Sequence, residues 1–466
     1  MKKKILLLSD DIRIPSGIGT MSKSFVMNSL KDFDWVQMAG AVKHPETGKL
    51  IDMSKAMATE TGVEDASVML YAVDGYGNPN ILRAVIEKEK PDAIIHFTDP
   101  RFWGWLYDME HEIRQHIPIM YYNIWDDLPF PHWNENAYES CDMLMAISQQ
   151  TYNINKNVCA RKPRIEGKDL TYVQHGIDET LFKPLPKDDP GLLEFKQKMF
   201  GDKEYDYVAL FNSRNILRKH PADLISAFNS FVLTLSEEAR ANTALVLHTD
   251  IVDQAGTDLQ AVAKKLATES NVIFSNGKLE PFQMNYLYNI ADVMCNPSSA
   301  EGFGLSHMEG MMSGLPTIAS VIGGLQDQMG FTIDGRPMGI EDFTAEIPSN
   351  STGKITRDHG EWVYPLWPQV ALQGSPATPY IYDSRVSLDQ ITEGLNHWYV
   401  LGSEIRNQRG LVGRDWAIKN KFTAKGMAEA MTNSINICLD TWAPRKNFEL
   451  IDTSIRTPKS PSGVLV

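Results

Sequence analysis

The sequence predicts an α/β protein with two domains, each built on a parallel sheet covered by helices. The chain has 466 residues, of which 43% are hydrophobic, which suits two domains of about 200 residues each better than one core. Short aliphatic runs alternate with amphipathic stretches, as is typical of parallel βαβ units. A proline-rich polar stretch, residues 182–190, separates two series of these runs and predicts an interdomain linker.

Each series contains five predicted strands. The first consists of KILLLSD, DAIIHF, IPIMYYNI, MLMAIS and TYVQH, and the second of YVALFN, ALVLHTD, NVIFSN, DVMCNPS and TIASVI. We therefore expect a first domain over residues 1–187, a second over residues 188–413, and C-terminal helices with a tail over residues 414–466. Residues 330–384, rich in proline, glycine, threonine and aromatic residues, are expected to form an insert in the second domain.

Composition excludes several classes of protein. The net charge of −14 and a pI near 5.3 argue against a generally basic surface that coats nucleic acid, although a local basic patch stays possible. No apolar run approaches the roughly 18 residues of a membrane span, and the opening MKKKILLLSDD is expected to be a first strand and not a signal peptide. Four scattered cysteines without a C-x-x-C pair are expected to be reduced thiols in a cytoplasmic protein.

Two carboxylates stand eight residues apart in the segment NPSSAEGFGLSHMEGMMSGLPTIASVIGG, residues 296–324. Glu301 lies in a glycine-containing loop after a short buried strand, and Glu309 lies in the helix that follows. Glycines at a helix entrance let backbone N–H groups approach an oxygen-rich ligand closely. We expect Glu301 to meet sugar hydroxyls and Glu309 a ribose. The alternative is one acidic residue that favours the helix dipole and a second, solvated glutamate.

The order of EGFGL, Glu309, GLP and GG closely resembles the E-x7-E signature of retaining family-4 glycosyltransferases with the GT-B fold. This resemblance implies two Rossmann-like domains that face each other across a cleft, with a C-terminal helix that crosses back. It implies transfer of a sugar from a nucleotide-diphosphate sugar to a hydroxyl of a saccharide, lipid-linked glycan or small molecule, without metal or other cofactor. Phe303, Gly304 and Leu305 would then lie on the donor side.

Cations in LFNSRNILRKHPADLISAF extend the resemblance. Arg214 and Lys219 follow a strand and precede a helix, so both are expected at the mouth of the cleft, where the carboxyl ends of strands gather. Family members bind the donor's diphosphate with an Arg and a Lys at these positions, and Arg218 is a third candidate. Together with Glu301 they are the expected catalytic residues. Asn212 and Ser213 depart from the family, which commonly has a glycine before the arginine.

The turn after the first strand, PSGIGT, opens a helix. In the resembling fold this loop faces the donor phosphates, so Gly17 and Gly19 are candidates to bind them through backbone N–H groups. A simple tight turn is an equal alternative. In YVQHGIDETLFKP, the residues that match the family are expected to be structural; they are Gly176, Asp178 and Phe182.

The acceptor side departs from the family. Trp125 occupies a position where many relatives have a histidine, which leaves Asp126, Asp127 and His132 as candidates for acceptor binding or proton handling. His96 and Asp99 are further candidates at the cleft edge, each more readily explained as structural. Adjacent aspartates on a strand point to opposite faces and make poor joint metal ligands, so the pairs Asp10–Asp11 and Asp126–Asp127 do not predict a metal site.

Other interpretations stay open. The aromatic residues of the insert belong either to a surface excursion or to the acceptor site; they are Trp362, Tyr364, Trp367, Tyr380 and Tyr382. Residues 96–115 and 121–142 are similar, more weakly, to glycosyltransferases of tailed phages. Some of those enzymes modify hydroxymethylated pyrimidines in DNA, and a phage enzyme would act in the host cytoplasm. A DNA acceptor would use a basic strip and stacking aromatics. The candidates are Lys156, Arg161, Lys162, Arg164, Lys168, Phe130 and Trp133, with a solvated basic loop as the alternative.

Two other classes are also considered. A nucleotide-sugar sensor would bind donor without turnover. A nicotinamide-dependent dehydrogenase needs an acidic residue after a second strand, about 20 residues beyond a glycine-rich turn, and no acidic residue ends a clear second strand.

Overall fold

The computed structural model describes residues 2–41, 43–159, 169–275, 277–343 and 358–445. The strands of the first half are β1 Lys3–Asp10, β2 Phe33–Gly40, β3 Leu50–Asp52, β4 Val68–Ala72, β5 Ala93–Phe97, β6 Ile119–Asn123, β7 Met143–Ala146 and β8 Asp169–Tyr172. The strands of the second half are β9 Tyr207–Asn212, β10 Thr243–His248, β11 Asn271–Ser275, β12 Val293–Asn296, β13 Thr317–Ser320, β14 Thr332–Ile333, β15 Arg336–Pro337, β16 Val363–Leu366, β17 Gln369–Ser375 and β18 Thr378–Arg385.

Helices connect most of these strands. In the first half they are α1 Gly17–Asn28, α2 Ser54–Thr61, α3 Pro79–Glu89, α4 Gly104–Asp108, α5 Glu110–Ile113, α6 Glu135–Glu139 and α7 Gln149–Cys159. In the second half they are α8 Pro190–Phe200, α9 Pro221–Val232, α10 Glu237–Ala241, α11 Leu259–Leu266, α12 Pro281–Asn289, α13 Leu305–Met312, α14 Leu388–Lys419 and α15 Ala424–Thr441.

Two parallel sheets organise the chain into two Rossmann-like domains. The first sheet has the order β3-β4-β2-β1-β5-β6-β7-β8, with only β3 antiparallel to its neighbour, and the second has the order β11-β10-β9-β12-β13-β16. Successive strands are added in one direction from β1 and in the opposite direction from β5 in the first sheet. The same reversal of strand order occurs between β9 and β12 in the second sheet. In open α/β sheets, ligands bind beyond the carboxyl ends of the strands at such reversals. The predicted α/β class is thus confirmed.

All ten predicted strands are present, whereas β2, β3, β4 and the strands of the insert were not predicted. β2 has the sequence FDWVQMAG, which breaks the apolar pattern at Gln37, yet Gln37 is buried. Its side-chain amide donates to Ser9 Oγ at 2.8 Å and to the Asp10 carbonyl at 2.7 Å. Because these bonds offset the cost of burying the amide, a polar residue stands in a central strand.

The second domain reaches its C-terminal end through a long helix that bends. α14 contains Gly402 at φ 78° and is followed by α15, which packs on the first domain. Ala424 N–H donates to the Ile177 carbonyl at 3.0 Å, and Ser434 Oγ donates to Thr171 Oγ1 at 2.9 Å. The boundary expected between residues 413 and 414 lies inside α14, where Arg414 donates to the Glu179 carbonyl at 3.0 Å.

The insert is not a separate unit. Its strand β16 pairs with β13 as the edge strand of the second sheet, and two hairpins, β14–β15 and β17–β18, flank it. Trp362 lies buried beneath this edge, where its indole N–H donates to the Gln328 carbonyl at 3.0 Å. Trp362 is therefore a core residue and not an acceptor contact. Residues 344–357 of the insert lie outside the described residues.

Candidate active site

A cavity of about 940 Å³ lies between the two sheets, at the reversals of strand order. The first domain contributes residues 15–18, 99–101, 124–127, 147 and 175, and the second contributes residues 212–214, 218, 300–306, 309, 378 and 381. Its volume lies in the range of small-molecule sites in proteins. Most of the expected site residues line it, although they come from distant parts of the sequence.

The loop from Glu301 to Leu305 forms one wall of the cavity. Gly304 precedes α13 with φ 89°, and a Cβ there would lie 2.5 Å from Leu325 Cδ2, so only glycine fits. Gly324 N–H donates to the Glu301 carbonyl at 3.0 Å. A Cβ on Gly323 would lie 2.1 Å from the same carbonyl oxygen. The GG pair of the signature therefore packs directly beneath the glutamate loop.

Charged side chains from two loops meet at Glu301. Lys219, in a short turn after β9, is buried, and its ammonium contacts Glu301 Oε2. Arg218 lies 3.6 Å from the same carboxylate oxygen and is more exposed. Burial and the Arg218 cation lower the pKa of Lys219, while Asp126 opposes them. This cluster is a compact positive centre, already paired with one carboxylate, beside the N-terminus of α13.

Glu309 faces the cavity one turn further along α13. Its Oε2 accepts a hydrogen bond from Tyr288 O–H at 2.6 Å, and the Asn212 side-chain amide donates to the same tyrosine oxygen at 2.6 Å. Burial raises the pKa of Glu309, and the tyrosine hydrogen bond opposes this. The chain Asn212–Tyr288–Glu309 fixes the orientation of the carboxylate. It also gives Asn212, which departs from the family pattern, a defined contact.

Arg214 lies at the rim of the same cavity. Its Nε donates to Asp253 Oδ2 at 2.9 Å, and 65% of its side chain is exposed. Among the described residues, the terminal nitrogens of this guanidinium have no hydrogen-bond partner. Arg214 and Arg218 line the cavity, whereas Lys219 lies just behind it.

The first turn of α1 contributes Gly17 to the cavity wall but not Gly19. Gly17 lines the cavity, and the first N–H groups of a helix have no acceptors within the helix. Gly19 N–H donates to Ser16 Oγ at 2.9 Å as part of the helix cap. A Cβ on Gly19 would lie 2.7 Å from two backbone oxygens. The expectation that Gly19 binds phosphate is therefore wrong, and the residue is required for packing.

Trp125, Asp126 and Asp127 line the cavity on the side of the first domain. The Trp125 indole N–H donates to the Asp127 carbonyl at 2.9 Å. Burial raises the pKa of Asp126, which Arg218 and Lys219 oppose. Burial and the Asp126 carboxylate raise the pKa of Asp127 well above its ordinary value.

Two histidines expected on this side do not line the cavity. His96 is fully buried, stacks on Tyr121 at 4.3 Å, and contacts Cys141 Sγ at 3.4 Å. Burial lowers the pKa of His96 to about 3, so it is a neutral core residue, and its assignment to the acceptor site is corrected. His132 lies beside the Phe130 ring at 6.4 Å and is also absent from the cavity wall.

His175 was not predicted as a site residue, yet it lines the cavity. Its Nδ1 lies 2.9 Å from the Tyr122 hydroxyl, and its ring contacts the edge of Phe303 at 5.2 Å. Burial lowers the pKa of His175 to about 3, so the ring is neutral. Its place just after β8, where the carboxyl ends of strands gather, is the signal that could have identified it.

The basic segment considered for DNA is only partly described. Arg161, Lys162, Arg164 and Lys168 lie outside the described residues, and Lys156 lies 3.7 Å from Glu341 in an exposed ion pair.

Within the described ranges, no three His, Cys, Asp or Glu side chains converge as metal ligands. None of the helices described here combines the length and apolar character needed to cross a membrane.

Solved structures share the whole architecture. A glycosyltransferase from Rickettsia africae has a TM-score of 0.62 at 15% identity, covering 94% of this chain and 99% of that one. The sucrose-phosphate synthase of Thermosynechococcus elongatus has a TM-score of 0.64 at 14% identity, covering 94% and 100%. The chain has the GT-B fold. A third GT-B structure, Anabaena HepE in complex with UDP and glucose, has a TM-score of 0.61 at 14% identity, covering 93% and 100%.

Sequence comparison agrees with the GT-B fold. Residues 194–335 match the family described as Glycosyl transferases group 1. Mannosylfructose-phosphate synthase of Agrobacterium fabrum is 26% identical over 192 residues, which cover 40% of this chain and 39% of that protein. A D-inositol 3-phosphate glycosyltransferase of Kribbella flavida is 24% identical over 249 residues, covering 50% and 54%. The matches thus span about two fifths to one half of these relatives, and the family match covers residues 194–335 of this GT-B chain.

Proposed function

We propose that the chain is a retaining glycosyltransferase that moves a sugar from a nucleotide-diphosphate sugar to an acceptor hydroxyl. The observation that carries this proposal is the contact of buried Lys219 with Glu301, which lines the cavity beside Arg218 at the entrance of α13. Cations beside a helix N-terminus are suited to a diphosphate, and a carboxylate next to them is suited to sugar hydroxyls. The group 1 match over residues 194–335 includes this cluster.

The donor would lie along the wall formed by the second domain. Glu309, oriented by Tyr288, would accept hydrogen bonds from the ribose hydroxyls. Arg214, Arg218 and Lys219 would bind the two phosphates, with the N–H groups at the start of α1 opposite them. Glu301 would hold hydroxyls of the transferred sugar while it stays paired with Lys219.

Transfer would follow a front-face course. The bond between the anomeric carbon and the leaving phosphate oxygen breaks, and the acceptor oxygen bonds to that carbon from the same side. The acceptor proton passes to the leaving phosphate, so nucleoside diphosphate and glycoside are the products. Negative charge grows on the leaving group in the transition state, and the three cations are arranged to stabilise it. The course requires no metal ion.

The first test is donor consumption. The protein is incubated with a pool of nucleotide sugars and with three acceptor sets: simple sugars and polyols, lipid-linked glycans, and duplex DNA containing hydroxymethylcytosine. Mass spectrometry then follows the products. We expect one donor to be consumed, its sugar to appear on a hydroxyl acceptor, and both to be lost in Glu309→Gln. Glu194→Gln, an exposed change on α8, is the matched control. Consumption that is equal in Glu309→Gln and the control would contradict the proposal.

The same experiment separates the alternatives. Sugar added only to the hydroxymethylated base would establish a DNA-modifying enzyme. Donor binding without any product would establish a nucleotide-sugar sensor. The described residues give DNA no support, because most of the basic segment considered for it lies outside them.

A further inference from the structure

A hydrogen-bonded chain of three side chains runs from the second sheet to the cavity. Asn212 is the last residue of β9, Tyr288 lies in α12, and Glu309 lies in α13. The Asn212 side-chain nitrogen lies 2.6 Å from the Tyr288 hydroxyl oxygen, and this oxygen lies 2.6 Å from Glu309 Oε2. Asn212 and Glu309 line the cavity, whereas Tyr288 is fully buried behind its wall. The chain therefore connects two cavity residues through a group that a ligand does not reach.

The chemistry of the three groups fixes the direction of these hydrogen bonds. An ionised carboxylate can only accept, so the single proton of the Tyr288 hydroxyl goes to Glu309. The tyrosine oxygen is then left as an acceptor, and the amide of Asn212 donates to it. An aspartate at position 212 would compete for the tyrosine proton and leave Glu309 without its donor. Asn212 thus decides which way the tyrosine hydroxyl points.

Packing holds the tyrosine ring in place. The ring of Phe182 meets it edge to face at 5.9 Å, and a Cβ on Gly310 of α13 would lie 3.6 Å from Tyr288 Cδ1, in van der Waals contact. Because the ring is fixed, the position of its hydroxyl is fixed as well. This hydroxyl occupies Glu309 Oε2, while Oε1 has no hydrogen-bond partner among the described residues. Oε1 is consequently the oxygen of this carboxylate that a ligand in the cavity can reach.

Burial makes the tyrosine proton important for Glu309. Burial raises the pKa of Glu309, and the hydrogen bond from Tyr288 opposes this. Without that bond, the carboxyl group would take up a proton more readily and would then donate as well as accept. Tyr288, oriented by Asn212, keeps Glu309 in the form that only accepts hydrogen bonds.

We propose that Asn212 is a positioning residue for the donor: through Tyr288 it keeps Glu309 Oε1 open as an acceptor, so that the site selects a nucleotide with a complete ribose over its deoxy analogue. This inference rests on the proposed glycosyltransferase function, in which Glu309 meets the ribose, and deepens it. A deoxy analogue leaves the carboxylate oxygen without the donor that it binds in the complete nucleotide. Asn212 stands where the sequence departs from the family, so this role belongs to this chain.

The test measures selection between nucleotides and not affinity alone. UDP, GDP and ADP are each compared with their 2′-deoxy and 3′-deoxy forms by calorimetry on the full chain. The readout is the ratio of Kd values, deoxy form over ribose form, for the base that binds. The variants are Asn212→Asp, Asn212→Ala, Tyr288→Phe, and Asn212→Asp combined with Tyr288→Phe. Ser213→Asp is the control, because it adds the same charge to the neighbouring residue of the cavity wall.

We expect wild type to show a ratio of about tenfold or more with at least one deoxy form, as for a lost hydrogen bond to a charged group. Asn212→Asp should bring this ratio close to one, and Asn212→Ala should lower it about threefold, because it removes the amide without competing for the proton. Tyr288→Phe should also lower the ratio, and adding Asn212→Asp should change it no further. Ser213→Asp should weaken both forms equally and keep the wild-type ratio.

A wild-type ratio in Asn212→Asp, or in Asn212→Ala where the aspartate variant does not fold, would overturn the role of Asn212. An equal fall of the ratio with and without the Tyr288 hydroxyl would show that position 212 acts on the ligand directly, and would overturn the role of the chain. A ratio of one in wild type would overturn the selection of ribose. Failure of the proposed function differs from all of these, because then wild type neither binds a nucleotide nor consumes a donor.

Discussion

At the scale of single residues, the buried contact between Lys219 and Glu301 dominates the electrostatics of the cleft. A buried ammonium is costly unless it is paired, and here the partner is a carboxylate on a different loop, 82 positions away in sequence. A bound diphosphate would add negative charge next to both cations. The contact therefore prepares the lysine for an anionic ligand and holds the glutamate toward the cavity.

Replacing Lys219 tests its place in the transition state. We expect Lys219→Ala to lower kcat by about 10²-fold or more, a loss on the order of 3 kcal/mol, by analogy with the removal of one oxyanion donor. Steady-state kinetics with the identified donor measure this change. Lys198→Ala, an exposed lysine change on α8, is the control. Full turnover by Lys219→Ala would show that the lysine has no part in the chemistry.

Tyr288 offers a second test, directed at donor binding. Tyr288→Phe removes the hydroxyl that donates to Glu309 at 2.6 Å and leaves the ring in place. We expect the Kd for the nucleotide to rise about tenfold, because a hydrogen bond to a charged group contributes about 1.5–3 kcal/mol. Calorimetry measures the change, and Tyr286→Phe on the same helix α12 is the control. Equal affinities for both variants would mean that Glu309 does not need this partner.

Sequence reasoning at this scale found residues through local spacing and missed those joined by long-range contacts. Glu301, Glu309 and the two arginines stand in recognisable local patterns and do line the cavity. Tyr288 contacts Glu309 across two elements, a relation that spacing does not reveal. His96 ends a strand as a cleft residue does, but its side chain points into a fully buried aromatic cluster.

At the scale of elements, the entrance to α13 depends on backbone geometry more than on side chains. Gly304 has φ 89° and Gly302 lies close to the Ile124 carbonyl, where a Cβ would be 3.1 Å away. Glu301 and Glu309 can face the same cavity because the chain turns sharply between them. The glycine pattern predicted a close approach of backbone to ligand, and the structure adds close packing against the other domain.

Gly304→Ala tests whether the entrance to α13 depends on the backbone conformation at this position. Gly335 is a matched control, since it has φ 77° but has no atom within 4 Å of a new Cβ. Both changes carry backbone strain of about 1–2 kcal/mol, and only Gly304→Ala also displaces Leu325. We expect Gly304→Ala to lower Tm by several degrees more than Gly335→Ala and to abolish nucleotide binding, as measured by thermal unfolding and calorimetry. Equal Tm values would contradict the proposed clash.

Most strands were predicted from their apolar runs, although β4, with the continuously apolar sequence VMLYA, was missed. The ten predicted runs are all strands because buried parallel strands consist of aliphatic residues. β2 was missed because of Gln37, and β16 was missed because its VYPL sequence lies in a segment rich in loop-forming residues. In both cases the decisive interaction comes from a neighbouring strand that is distant in sequence.

At the scale of the whole molecule, the two domains also contact each other outside the cleft. Asp327, in the turn after β13, accepts hydrogen bonds from Gln149 N–H and Tyr172 O–H of the first domain, each at 2.9 Å. Gln326 donates to Gln150 Oε1 at 2.9 Å beside it. These contacts fix the domains relative to each other, together with α15 and the β17–β18 hairpin. Such contacts between separate predicted domains were beyond what the sequence patterns could predict.

Asp327 makes this interface sensitive to pH. Burial raises the pKa of Asp327 from 3.8 to about 7, while its two hydrogen bonds oppose the rise. Because the pKa of Asp327 is higher in the folded state than in the unfolded state, its neutral carboxyl group adds to the free energy of unfolding. This contribution is fully present at low pH and is lost as pH rises through about 7. We expect Tm of wild type to fall by a few degrees relative to Asp327→Asn between pH 6 and 8.

Thermal unfolding of both proteins across this pH range measures the difference, with Asp188→Asn, an exposed change in the linker, as control. Parallel Tm curves for wild type and Asp327→Asn would show that Asp327 does not titrate in this range.

The most direct test of glycosyl transfer at this cleft follows the anomeric carbon itself. The donor that the protein consumes is prepared with ¹³C at that carbon and observed by NMR with its acceptor, for wild type and for Lys219→Ala. We predict that the signal of the nucleotide-linked carbon disappears, that a glycoside signal of the same anomeric configuration replaces it, and that Lys219→Ala slows this conversion about 10²-fold. A donor signal that stays unchanged with wild-type protein, or that converts equally fast with Lys219→Ala, would contradict the account.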